Sequence, residues 1–414
     1  MSRTVLYFLV RIVVASLLFA VQWYLYKRTR VFFDGGVKKF PRTPAIVASV
    51  FLLFNFPLFL LVFIRISTTA FPIPFLYCGV YPFFVWHAAT FFIFLMLSVL
   101  RILKLPLDVL LLTSKAISPL NKRIVAMKST SSFTRFDDSR RAFLKTGALV
   151  MSGYSFIGAT KGIVDRDDFD VVERTVLVRG LPDEFKGFTI GLMSDIHSSV
   201  FMTKPEMDTY VNALNALKTD VIFVPGDFVN SQTEEVYPFA EAFSALRAPS
   251  GVYGCLGNHD YFANVDVVAK EVDACGVKLL RNDAVKIWKG SSYINVLGVD
   301  DIPMSGTPET FLGRALTSAQ NDQPKILLCH KPYFLETFAA HNIDLTLSGH
   351  THGGQIVFAK IGNTIVSLAS LFSKYVWGLY QFNDAQMYVT RGIGTVGVPF
   401  RINCPPEITK ITLR

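Results

Sequence analysis

Apolar positions are distributed along this chain in two different ways. Up to about residue 112 they form long blocks. Residues 4–26 are apolar apart from Arg11 and Gln22, 44–64 have Asn55 as their strongly polar residue, and 71–100 hold a third block whose entry is broken by Pro72 and Pro74. A helix needs roughly 20 apolar residues to cross about 30 Å of hydrocarbon, so the pattern predicts three spans at 4–26, 44–64 and 75–100. Arg11 near a helix end reads as a snorkelling side chain and His87 as a helix-packing one. A moderately apolar stretch rich in Gly and Ala, 146–164, is a candidate fourth helix. From about residue 166 the apolar runs become short. They cover 188–194, 221–225, 251–256, 325–329 and the alternation from Asp344, and each is closed by turn residues. Such runs followed by helical spacing predict buried strands of an α/β sheet. Helices are expected at 204–217, 237–246, 265–274, 307–316 and 332–340, with an edge strand at 171–178. Residues 277–280, 285–288 and 293–299 are expected in a second sheet, with a hairpin at Gly290 and Ser291. The expected organisation is a transmembrane region (1–112), a basic segment carrying the fourth apolar helix (113–165) and an α/β domain (166–414).

Each short run ends in residues that can bind a cation. They are Asp195 and His197, Asp227, then Asn258, His259 and Asp260, then His330, then His350 and His352. Sites of α/β proteins form at the carboxyl ends of strands. If 347–355 is extended, His350 and His352 lie on the same side and present both rings to one point, with glycines letting the backbone approach closely. The donor set mixes oxygen and nitrogen without an obvious cysteine, which argues against a structural zinc cage and suits manganese, iron or zinc.

Read in order, these blocks closely resemble the calcineurin-like metallophosphoesterase pattern of Asp-x-His, Gly-Asp, Gly-Asn-His-Asp/Glu, His and Gly-His-x-His. The resemblance implies a four-layer αββα sandwich and a catalytic centre with two divalent metal ions, manganese before iron or zinc. Asp195, His197 and His352 would bind one ion, Asn258, His330 and His350 the other, and Asp227 would bridge them. It further implies attack on phosphorus by a metal-bridging hydroxide, with His259 protonating the leaving oxygen. Asp260 either orients an imidazole or caps a helix. One departure is that the second block ends in Asn230, where Asp is frequent. Residues 391–395 and 399–407 resemble the tail of a bacterial, membrane-associated, exported branch of the family. There Arg391 and Arg401 would hold a substrate phosphate or form salt bridges. The implied substrate is a phosphate ester or pyrophosphate, lipid-linked or from the cell envelope; the competing expectation is a non-catalytic metal-binding sensor that kept the fold.

Charge and composition add topology. The 414 residues are 51% hydrophobic, include 37 Phe and carry a net charge of +9. Lys27, Arg28, Arg30, Lys38, Lys39 and Arg42 crowd the first loop, Arg101 to Arg135 is basic again, and the connector between carries only Arg65. The positive-inside rule puts the two basic stretches in the cytoplasm, so the charge is a topology signal rather than a nucleic-acid footprint. Ser139-Arg140-Arg141-Ala142-Phe143-Leu144-Lys145 resembles a twin-arginine export signal. It implies a translocase as partner, a multi-pass protein of the inner membrane, in contact with its lipids, and a catalytic domain on the outer side. Among the cysteines of that domain, Cys255 and Cys329 sit in apolar strands as expected free thiols.

Overall fold

The computed structural model describes residues 3–34, 42–63, 72–115, 118–303, 306–319, 322–362 and 364–414. The chain forms two compact units, one from the helices up to Lys161 and one from Gly162 to Arg414. Lys38, Lys39 and Arg65 lie outside the described residues.

The first unit contains α1 (Arg3–Asp34), α2 (Thr43–Phe63), α3 (Ile73–Phe75), α4 (Tyr81–Lys115), α5 (Ser118–Lys128) and all but the last three residues of α6 (Ser131–Val164). A π-helical turn at Leu76–Val80 joins α3 to α4. Among the described residues one helix, Ile73–Thr113, is long and apolar enough to cross a membrane, and Thr43–Phe59 is a shorter apolar helix. Three elements outrun the expected bounds. Helix α1 continues past residue 26 because its basic residues stack on aromatics one turn back, Lys27 over Trp23 at 5.1 Å and Arg28 over Tyr24 at 5.3 Å. Helix α4 continues past residue 100, where Arg101 and Lys104 both pair with Asp108. The fourth apolar stretch is the second half of α6, which starts ahead of the arginine pair. Arg140 and Arg141 are therefore helical and exposed, each paired with Asp137, at 2.5 and 2.8 Å. Inside the unit, Gln22 bonds Thr90 and accepts from Trp86, joining α1 to α4.

The second unit is built on two six-stranded mixed sheets. The first holds β1 (Asp170–Val176), β2 (Thr189–Leu192), β3 (Val221–Pro225), β4 (Val252–Cys255), β5 (Lys278–Leu279) and β14 (Glu407–Leu413), ordered β1-β14-β2-β3-β4-β5. The second holds β6 (Asp283–Lys289), β7 (Ser292–Gly298), β8 (Lys325–Leu328), β9 (Leu345–Ser348), β12 (Gly378–Phe382) and β13 (Ala385–Val389), ordered β12-β13-β9-β8-β7-β6. A separate hairpin, β10 (Val357–Ile361) with β11 (Thr364–Ser367), joins neither sheet. One expectation needs correcting. Residues 277–280 do not enter the second sheet, because β5 pairs parallel to β4 and closes the edge of the first. A two-residue strand carries no pattern that says which sheet it joins.

Successive side chains of a strand point to opposite faces, and the cores follow from this. In β3, Val221 and Phe223 join a cluster shared with Ile294, Ile326 and Leu347 of the second sheet. Ile222 and Val224 instead join the cluster of Met207, Leu214, Phe239, Phe243 and Val268. Those residues come from α7 (Lys204–Ala216), α8 (Val236–Phe243) and α9 (Val265–Ala274). Strand β8 divides in the same way, with Ile326 and Leu328 between the sheets. Leu327 packs with Leu312 of α10 (Pro308–Thr317) and Phe338 of α11 (Leu335–Ala340). Strands buried on both faces need continuous apolar runs, which is why the sequence shows them.

Candidate metal centre

The residues following β2, β3 and β4 of one sheet meet those following β8 and β9 of the other. Asp195, His197 and His352 form one group of converging donor atoms, and Asp227, His330 and His350 form another. Asp227 lies between them, with Oδ2 3.0 Å from His330 Nε2 and 3.5 Å from His197 Nε2. His352 Nε2 stands 3.0 Å from His197 Nε2 and 3.6 Å from Asp195 Oδ1. Asp195, His197, Asp227, His330 and His352 are buried.

The chain leaves each strand abruptly to make this convergence. Asp195, His197, Asp227, His350 and His352 all have positive φ, between 49° and 73°. Non-glycine residues rarely adopt this left-handed conformation, and its strain collects at functional sites. The expected extended geometry of His350 and His352 is thus not what forms. Strand β9 ends at Ser348, and the two rings turn to different neighbours, His350 to His330 and His352 to His197. Glycine is required where backbone crowds the carboxylates: a methyl group on Gly349 would overlap Asp195 Oδ2, and one on Gly257 would overlap Asp227 Oδ1.

Hydrogen bonds aim the ligand atoms. A carbonyl oxygen only accepts, so the contacts of His330 Nδ1 to Pro225 O (2.9 Å) and His352 Nδ1 to Gly394 O (3.3 Å) put the proton on Nδ1. Nε2 of each ring is left facing the site, the usual arrangement behind a metal-binding imidazole. Asp195 is held by Ser194 Oγ at 2.5 Å and by the His350 amide at 2.8 Å. Burial lowers His350 to about 3. Burial also lowers His352, to about 4, against the pull of Asp195. Both imidazoles are therefore neutral, as ligands must be.

Whether the donors suit a metal can be judged from spacing. Ligands about 2.0–2.2 Å from one cation stand roughly 3.0–3.6 Å apart, and the contacts above span 3.0 to 3.6 Å. His330 Nε2 and Asn258 Oδ1 are buried without an aligned hydrogen-bond partner. The residues fit divalent metal ions.

Around this group stand the other expected residues. His259 Nδ1 donates to Asn230 O at 2.5 Å, and its ring meets that of His197 edge-on at 4.5 Å. The contact uses the Asn230 backbone, so Asn in place of Asp leaves it untouched. Asp260 neither orients an imidazole nor caps a regular helix. Its carboxylate accepts from the amides of Asp227 (3.1 Å), Phe228 (2.9 Å), Val229 (3.2 Å) and Gly257 (2.8 Å), tying two ligand loops together.

A substrate-gripping role for Arg391 and Arg401 does not fit their geometry. Arg391 is 7% exposed and pairs with Glu407 at 2.6 Å and Asp170 at 2.9 Å. Arg401 is 4% exposed and donates to the carbonyls of His352, Cys404, Arg391, Gly392 and Gly394. Both are internal fastenings beneath the His352 loop. Ser194 and Tyr333, whose ring lies 5.5 Å from that of His350, were not singled out from sequence and carry no motif signal there.

The family model for calcineurin-like phosphoesterases matches residues 188–354. An uncharacterized metallophosphoesterase of Bacillus subtilis is 32% identical over 288 residues, 67% of this chain and 98% of that protein. The chain belongs to the calcineurin-like phosphoesterases. A zebrafish protein named as a transmembrane protein with a metallophosphoesterase domain is 31% identical over 258 residues, 59% of this chain; the chain spans 57% of that relative's length. A phosphodiesterase of Escherichia coli is 25% identical over 281 residues, 66% of this chain and 99% of its own. Residues 188–354 carry the family's phosphoesterase domain, and among the described residues one helix, Ile73–Thr113, is long and apolar enough to cross a membrane.

Proposed function

We propose that the protein is a membrane-anchored phosphoesterase working with two divalent metal ions, and that its domain is the four-layer αββα sandwich of its family. The observation that carries this reading is Asp227 Oδ2, set between two groups of donors, 3.5 Å from His197 and 3.0 Å from His330. A shared carboxylate is the group that can hold two cations close together. Asp195, His197 and His352 would hold one ion, and Asn258, His330 and His350 the other. Bound there, the two ions would neutralise the phosphoryl oxygens and make water acidic enough to act as a nucleophile.

The chain's own groups supply the rest. His259 keeps its Nδ1 proton on Asn230 O, which leaves Nε2 to carry a proton to the leaving oxygen. Ser194 and the His350 amide hold Asp195 in place. Manganese is the ion we assign first, and a phosphate ester or pyrophosphate on a lipid or other envelope component the substrate class. The anchor we infer comprises three to four helices, and we read Arg140 and Arg141 as a twin-arginine motif of a bacterial exported branch, with the site outside.

The test uses the full-length protein in detergent with manganese and a chromogenic phosphate mono- or diester. Wild type should turn over and Asp227→Ala should not. His259→Gln should keep its metal content while kcat falls by about two to four orders of magnitude, the range of general acid–base contributions. Metal-replete wild type that hydrolyses no phosphate ester would leave a metal-binding module and overturn the enzyme reading.

A further inference from the structure

Beside the metal centre, the stretch 357–375 leaves large apolar side chains in solvent. Ile361 is 70% exposed, Leu368 50%, Leu371 75% and Phe372 77%. Their inward neighbours Val357 and Ile365 make only a small cluster with Val376 and Cys404, and hairpin β10–β11 pairs with neither main sheet. Exposed apolar side chains concentrated in one place mark an interaction surface.

The stretch itself carries charge of one sign. Residues 345–383 contain no Asp or Glu, and their only cations are Lys360 and Lys374. Lys360 lies over the Trp377 ring at 5.0 Å, and Lys374 over Tyr375 at 4.9 Å. The facing acid is Glu336 of α11, which pairs with Lys374 at 2.5 Å. Amphipathic aromatics with basic residues and apolar tips are the composition of a membrane–water interface.

The stretch is also fastened to the site. Thr351 Oγ1, between the two ligand histidines, donates to Val376 O at 2.5 Å. A side chain on Gly354 would overlap Ser367. A cleft of about 250 Å³, lined by Tyr333, Phe334, Phe372, Lys374 and Tyr375, opens beside His350.

We propose that 357–375 is a membrane-docking surface. Ile361, Leu368, Leu371 and Phe372 enter the headgroup–acyl boundary of a bilayer containing anionic lipid, with Lys360 and Lys374 at headgroup level. Docking brings the His350–His352 loop to the lipid surface, so the site takes phosphate groups presented there. On the membrane-anchored reading proposed above the occupant is a bilayer, and a stretch with lysines and no acid of its own between residues 345 and 383 complements anionic headgroups.

The experiment uses the full chain with Cys78→Ser and Cys275→Ser, reconstituted in vesicles of phosphatidylcholine and phosphatidylglycerol. An environment-sensitive fluorophore is attached at Leu371→Cys or, for comparison, at Tyr237→Cys on α8, another exposed position, at 54% against 75% for Leu371. Acyl-chain nitroxide lipids should quench the label several-fold more at 371 than at 237, and the difference should shrink in phosphatidylcholine alone or with Lys360→Glu and Lys374→Glu. Equal quenching at both positions overturns the proposal, as does a difference indifferent to phosphatidylglycerol and to the lysines. A label at 371 shielded from both aqueous iodide and nitroxide lipid would mean that protein covers the surface, and overturns it too. Quenching reports docking whether or not anything is hydrolysed, so its failure and that of the hydrolase reading are separate results.

Discussion

Asp260 shows how much a single residue can hold. It accepts four backbone amides from the loops that carry Asp227 and Gly257. Replacing it by Ala leaves those donors buried without partners, at about 1–3 kcal/mol for each one that stays unsatisfied. Chemical denaturation of Asp260→Ala should show a loss of several kcal/mol, and metal affinity should fall with it. Asp260→Asn keeps one acceptor oxygen and should lose less on both counts. Arg391 poses the opposite question. Its pairing with Glu407 makes it structural, so Arg391→Met should destabilise by about 3–5 kcal/mol, as breaking one side of a buried pair does. If stability is unchanged and only KM for the phosphate ester rises, the arginine grips substrate after all.

At the scale of elements, the strand-to-loop turns decide the site. Gly257 follows β4 where a side chain would overlap Asp227, and Gly349 follows β9 where one would overlap Asp195. Gly257→Ala must push the Asp227 loop aside. It should reduce bound metal, read by elemental analysis, far more than it reduces the cooperativity of unfolding. The helices on the outer face of the first sheet are a plainer matter. Phe239 is fully buried on α8 and stacks on Phe243 with ring centroids 4.1 Å apart. Phe239→Ala should cost about 3–5 kcal/mol through lost burial and the cavity left behind, with metal content per folded molecule unchanged.

For the whole molecule, metal binding and topology are the two properties to measure. Ions that bind the folded site and not the unfolded chain add stability by mass action. Stripping the protein with a chelator should therefore lower its Tm, manganese should restore it, and Asp227→Ala should respond to neither. Sidedness rests on the basic stretches and the arginine pair. A reporter active only outside the cytoplasm, fused after Arg414, should work in wild type and fail when Arg140 and Arg141 are both replaced by Lys. Exposure of the domain in that double variant would make the pair an ordinary basic flank. Protection of the wild-type domain would reverse the orientation.

The buried strands of the second unit were legible because a strand covered on both faces must be apolar at every position, and the candidate metal-binding residues stood out because each closes such a run. The sequence also showed three apolar blocks before residue 112, and among the described residues one of them, within Ile73–Thr113, forms a helix long and apolar enough to cross a membrane. What it could not show is set by contacts between distant parts of the chain. Strand β14, at the carboxyl end, lies between β1 and β2, and the two-residue β5 joins the first sheet rather than the second; neither choice leaves a mark on local periodicity. The positive φ values of Asp195, His197, Asp227, His350 and His352 arise only where two sheets bring their loops together. For the same reason His350 and His352, two residues apart, turn their rings to different neighbours, His330 and His197. The partners of Arg391, Arg401 and Asp260 were decided in that way too: a buried charge or carboxylate takes the groups that tertiary packing places against it, and in this molecule those are Glu407, a ring of carbonyls and a row of amides.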